Sequence, residues 1–125
     1  MQQPQQPRPR VPRAQPPSEP APDAGAAVED AWISADTRAL ARAFLALETE
    51  DEALRFLRDI STVNEIIELG HRWRVANLLD QGVSYHDIGA RTGASSATIS
   101  RVNQWLRYGR GGYRLVIDRL TGQDE

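Results

Sequence analysis

The sequence predicts an all-α fold, and three observations carry that expectation. Apolar residues recur at three- and four-residue spacing, with no strand-like alternation. Hydroxyl residues stand three positions before an acid or amide donor at the head of these periodic runs, as at Thr49–Glu52, Thr62–Glu65 and Ser84–Asp87. The connections between the runs are only two to four residues long, as between helices folded back on one another.

Taken in order, Trp32 and Ile33 begin the apolar content and Ser34 is the expected N-cap of a first helix. Leu40, Phe44 and Leu47 share one face of it at i, i+4 and i+7. Leu54, Phe56, Leu57 and Ile60 mark a short second helix after Thr49. From Val63 to about Gln81 runs the longest periodic stretch, with Ile66, Ile67, Leu69, Trp73, Val75, Ala76, Leu78 and Leu79. So many apolar positions predict a central, largely buried helix ended by Gly82. These stripes fit either a monomer core or a dimer seam, and a seam is favoured for part of them because the apolar surface is large for this chain.

Ser84 to Arg101, SYHDIGARTGASSATISR, reads as two short helices joined by a tight turn. Ser84 caps the first and Ile88 is its core residue. Gly89 would let the second helix cross closely, and Gly93 falls where the turn needs a positive φ. Ser95 and Ser96 offer cap oxygens for the second helix, whose inward residues are Ile99 and Val102. Its other face carries Ser96, Ala97, Ser100, Arg101, Asn103 and Gln104, small, polar and basic, as a residue set entering a major groove must be. This is the pattern of a DNA-reading helix-turn-helix, against the alternative of a plain helical hairpin. Ser96, Ala97, Ser100 and Asn103 are the expected base-edge contacts. Tyr85, His86, Arg91, Arg101, Arg107 and Arg110 are the expected phosphate contacts. For Arg101 a base contact or a salt bridge remain alternatives.

Charge is distributed to match. The net charge is only −2, yet Asp36 to Glu68 holds eight acids against four arginines, whereas Ser84 to Arg119 holds six arginines against two acids. The positive half is the half with the helix pair, as phosphate binding requires. All eight prolines lie at or before Pro22, and the first thirty residues have few apolar side chains larger than alanine. Residues 1–30 are expected to be a disordered Pro/Gln-rich tail and residues 31–125 a single helical domain. No window approaches the ~20 apolar residues of a membrane span. Cysteine is absent and the N-terminus lacks the apolar core of a secretory signal, so a cytoplasmic location is expected. Two well-separated histidines, no cysteine, no phosphate loop and no spaced carboxylate pair argue against an enzyme. No catalytic residue, cofactor or metal is expected.

After Leu106 comes RYGRGGYR, Arg107 to Arg114. It reads as a flexible connector before a last helix, Tyr113 to Leu120, packed through Tyr113, Val116, Ile117 and Leu120; its arginines would also serve phosphates. His71, on a mostly apolar helix, reads first as a structural histidine. Trp73 and Trp105 read as core or dimer-seam residues.

From about Leu45 to Leu120 the chain resembles the Trp repressor superfamily, and within it the YerC/YecD-type Trp-repressor-like proteins. The resemblance rests on His71-Arg72-Trp73, VANLLDQGVSY, TGASSATISRV and RYGRGGYRL. It implies an all-α multi-helix domain with a helix-turn-helix, in a Trp-repressor-like intertwined homodimer that offers one reader helix per subunit to successive major grooves. It also implies base contacts at Ser96, Ala97 and Ser100. The family's basic contacts on the first helix of the pair fall on His86 and Gly89, which thins that part of the set. Of the two arginines of the tryptophan pocket one matches Arg101 and the other falls on His71, while Val102 and Trp105 stand where small residues admit the indole. Bulky side chains there would fill the hole. The expected function is therefore a sequence-specific transcriptional repressor that binds a pseudo-palindromic operator in double-stranded DNA as a homodimer, without dependence on tryptophan. The alternative is a helix-turn-helix module that docks on polymerase or another regulator.

Overall fold

The computed structural model describes residues 30–122, which form six helices and no strand. These are α1 (Ala35–Leu45), α2 (Glu50–Ile60), α3 (Val63–Asp80), α4 (Tyr85–Thr92), α5 (Ser96–Tyr108) and α6 (Gly112–Thr121). The expected tail lies outside the described residues, apart from Asp30. Two compact units divide between Glu48 and Thr49, inside the span read as one domain, with α1 in the first and α2 to α6 in the second.

Local chemistry sets most helix ends. The Ser34 hydroxyl accepts from the Thr37 amide while the Thr37 hydroxyl accepts from the Ser34 amide, a reciprocal cap on α1. Leu47 lies beyond the end of α1, so the expected apolar face is one turn shorter. Thr62 and Glu65 make the same reciprocal exchange on α3, and Thr49 accepts from the Glu52 amide at the head of α2. At the other end of α3 the Val83 amide donates to the Leu78 carbonyl and the Gly82 amide to the Leu79 carbonyl. That is the paired bonding of a Schellman cap, with Gly82 at φ 79°.

Within the second unit, α3 packs against α2, α4 and α5, α4 packs against α5, and α5 against α6. The core is Val75, Ala76 and Leu79 of α3, Ile88 of α4, Ile99, Val102 and Leu106 of α5, and Ile117 of α6. Trp73, Leu78, Val83, Ala94 and Tyr113 close around it, with Trp73 and Tyr113 stacked at 6.3 Å between ring centroids. Each helix contributes by its period: Ile99, Val102 and Leu106 are i, i+3 and i+7 on one face.

The central helix is not largely buried. Only its C-terminal half enters the core, while Val63, Ile67 (61% exposed) and Leu69 face outward in the single chain. The reason is length: α4 has eight residues, about 12 Å, against about 27 Å for α3, and only four residues separate the two. The helix pair therefore covers just the last turns of α3. The last helix is corrected similarly. Ile117 is buried and Tyr113 partly so, but Val116 and Leu120 (72% exposed) point away. Positions 113 and 117 form one i, i+4 stripe and 116 and 120 another, and only the first packs on the core, with Tyr113 against Trp73 of α3.

Arg114 fixes α6 in place. Its guanidinium donates to Asp118 Oδ1 at 3.0 Å on its own helix and to Asp80 Oδ1 at the end of α3. Those two bonds, Asp80 first, hold the Arg114 pKa above its already high ordinary value. The sequence reading assigned no role to this bridge, because Asp80 and Arg114 are 34 positions apart and no periodicity links them.

Candidate nucleic-acid interface

The helix pair α4–α5 is built by its own sequence. The Ser84 hydroxyl accepts from the Asp87 amide, capping α4. The Thr92 hydroxyl donates to the Ile88 carbonyl at 2.7 Å and accepts from the Ala94 amide at 3.1 Å, so one side chain both ends α4 and holds the turn. Gly93 takes φ 76° and ψ 2°, the left-handed conformation expected of it. Ser95, not Ser96, caps α5, accepting from the Thr98 amide at 3.2 Å. Gly89 serves differently from the expectation. Its missing side chain faces the Ala94 carbonyl in the turn rather than the second helix, and an added Cβ would sit 3.4 Å from that oxygen.

With Ile88 and Ile99 turned into the core, the outward side of the pair is settled. Ser96, Ser100, Asn103 and Arg107 fall at i, i+4, i+7 and i+11, one stripe along α5 about a quarter turn round the helix from Ile99, Val102 and Leu106. Ser96, Ala97, Ser100 and Arg107 are exposed, and Asn103 is partly buried. Tyr85, His86 and Arg91 are exposed on α4, and Arg110 is exposed in the connector between α5 and α6. The Arg107 Nε–H donates to Asn103 Oδ1 at 3.2 Å. Tyr108 is 78% exposed beside them in sequence.

Arg101 is on a different flank. It lines a hollow of about 410 Å³ together with Ile67, His71 and Arg72 of α3 and Thr98 of α5, floored by the turn at Gly93 to Ser95. The structure thus brings His71 and Arg101 together, thirty positions apart in sequence. Val102 and Trp105 do not line this hollow: Val102 is turned into the core, and Trp105, one turn beyond Arg101 along α5, is 55% exposed. Arg72 also lines it, a cation the sequence reading passed over, and pairs with Glu68 at 4.0 Å. Among the described residues no cluster of His, Cys, Asp or Glu could hold a metal ion, and no helix is long and apolar enough to cross a membrane.

Comparison with known proteins agrees with this architecture. The Trp repressor protein family profile matches residues 35–121, which extends the resemblance seen in the sequence ten residues towards the N-terminus, into α1. The Bacillus subtilis (strain 168) protein YerC, itself uncharacterised, is 44% identical over 81 residues, spanning 65% of this chain and 78% of YerC. The crystal structure of a TrpR-like protein from Eubacterium eligens superposes with a TM-score of 0.70 at 43% identity, over 74% of this chain and 95% of that one. A candidate Trp repressor from Staphylococcus aureus superposes equally well, TM-score 0.70 at 39% identity, over 74% and 92% of the two chains. The profile covers well over half of the sequence, in the same helices that build the core and the helix-turn-helix, and the chain belongs to the Trp repressor family.

Proposed function

We propose that the protein is a sequence-specific DNA-binding transcriptional regulator, a repressor that acts in the cytoplasm as a homodimer on a pseudo-palindromic operator. The observation that carries this reading is the exposed stripe of α5: small polar side chains ahead of an arginine, on a helix anchored in the core through Ile99, Val102 and Leu106. Ser96, Ala97 and Ser100 lie near base edges, with Asn103 one turn further on the same side. Tyr85, His86, Arg91, Arg101, Arg107 and Arg110 hold backbone phosphates. Two copies would place their reader helices about 34–36 Å apart, one turn of DNA. Half-exposed apolar side chains support the homodimer, namely Leu40 and Phe44 on α1, Leu54 and Ile60 on α2, and Val63, Ile67 and Leu69 on α3. A single chain leaves that much apolar surface in water only at a cost in free energy. Short outward side chains imply a modest direct readout, so DNA shape and bridging water carry part of the specificity. Tryptophan is not the effector, because His71 stands where the family places its second pocket arginine.

Selection of bound duplexes from a random DNA pool tests this. A two-fold symmetric motif is expected. Failure to enrich any motif, together with weak and salt-insensitive DNA binding, would overturn the reading in favour of a module that docks on another protein.

A further inference from the structure

We infer that Asn103 is a positioning residue for Arg107, and that the two together form a sequence-independent phosphate clamp at the C-terminal end of the reader helix. The inference rests on the DNA-binding reading above and changes the part Asn103 plays in it.

The bond between them fixes the geometry of both side chains. Arginine has no acceptor, so the amide oxygen of Asn103 must be the atom turned towards Arg107 Nε, which leaves Nδ2 on the other side. An asparagine that reads adenine needs both amide atoms at once, the oxygen accepting from N6 and the nitrogen donating to N7. With its oxygen turned along α5 towards Arg107, Asn103 is not oriented to aim both amide atoms at one adenine edge. What it keeps is two N–H donors, and Arg107 keeps the four on its Nη atoms. A cluster of six N–H donors fits a group that only accepts, and along a DNA groove wall that group is the phosphate diester.

Position along the helix agrees. Arg107 lies eleven residues beyond Ser96, about 16 Å along the axis, while the major groove is about 12 Å wide. With the start of the reader helix at the bases, its last turn meets the sugar–phosphate wall. The same turn is where a cation is favoured by the helix dipole. Tying Nε to Asn103 removes rotamer freedom from a long side chain before DNA arrives, so less is lost on binding.

The test uses the full chain with random-sequence duplex DNA and a selected pool. Arg107→Ala should weaken binding to all sequences alike and reduce the salt slope by about one. Asn103→Ala should weaken binding about two- to tenfold, the cost of ordering one long side chain, with base preference unchanged. Added to Arg107→Ala it should cost less than it does in the wild type, because the part of its effect that acts through Arg107 is already gone. In the free protein, NMR should show faster exchange of the Arg107 Nε–H in Asn103→Ala than in the wild type. A changed preference at one base position, or the same loss in both backgrounds, would overturn the clamp while leaving DNA binding intact. A wild-type chain that binds neither DNA would overturn both readings.

Discussion

The two glycines of the helix pair look alike in sequence, yet the structure gives them opposite sensitivities. Gly93 holds φ 76°, and nothing lies within 4 Å of the Cβ that Gly93→Ala would add. The cost is therefore pure backbone strain, about 1–2 kcal/mol for an L-residue in the left-handed region. Gly89 has no such conformation and sits in the body of α4. Its added Cβ would meet only the Ala94 carbonyl oxygen, at 3.4 Å, which is ordinary contact. Alanine in a helix interior is about 0.8–1.0 kcal/mol better than glycine. Gly89→Ala should thus be neutral to about 1 kcal/mol stabilising, which separates the two variants by about 1–3 kcal/mol. Thermal unfolding at one fixed protein concentration reads this, since association makes the midpoint concentration-dependent. Each kcal/mol moves Tm by roughly 4–8 °C in a domain of this size. Gly93→Asn should recover part of the loss, because asparagine tolerates the left-handed region better than alanine. If Gly93→Ala melts with the wild type, or Gly89→Ala loses as much as Gly93→Ala, the account of the turn is wrong.

Three further outcomes are expected. Arg101→Ala should weaken binding to all DNA and flatten the salt dependence if Arg101 reaches a phosphate from the flank of the hollow; a loss of about 1–3 kcal/mol at a single operator position would instead make it a base contact. Adding tryptophan should leave operator affinity unchanged, as measured by titration at constant salt, and tighter binding would show that the hollow beside His71 and Arg101 admits the amino acid after all. The Thr62 backbone N–H, and then the Thr62 hydroxyl, hold the Glu65 carboxylate below the usual glutamate range. A depressed carboxylate stabilises the fold above its unfolded value, and the contribution disappears as the pH falls through its lower folded value. Glu65→Gln keeps an acceptor for the Thr62 amide but cannot titrate, so its stability should fall less steeply on acidification, and equal acid sensitivity would remove Glu65 from the account.

Much of the fold was legible because it is written within single turns of chain. The Thr62–Glu65 exchange, the Schellman cap at Gly82 and the left-handed Gly93 each need no partner more than five residues away. The inward set Ile88, Ile99 and Val102 followed from the helical period for the same reason. The Asn103–Arg107 bond is equally local, an i, i+4 pair, but both residues had been assigned separately to DNA, so their pairing went unread.

What the amino-acid order settled alone is therefore the inventory of helices, their caps, and which face of the reader helix is free of the core. Tertiary structure decided how far those helices overlap. A short α4 covers only the last turns of α3, leaving Ile67 exposed where periodicity alone had placed it inside. It placed Arg101 beside His71 around a hollow that neither Val102 nor Trp105 lines. It also joined Asp80 to Arg114 across 34 positions. Caps and turns are set by neighbours in the chain, whereas overlap, hollows and cross-helix bridges depend on the lengths and angles at which finished helices meet.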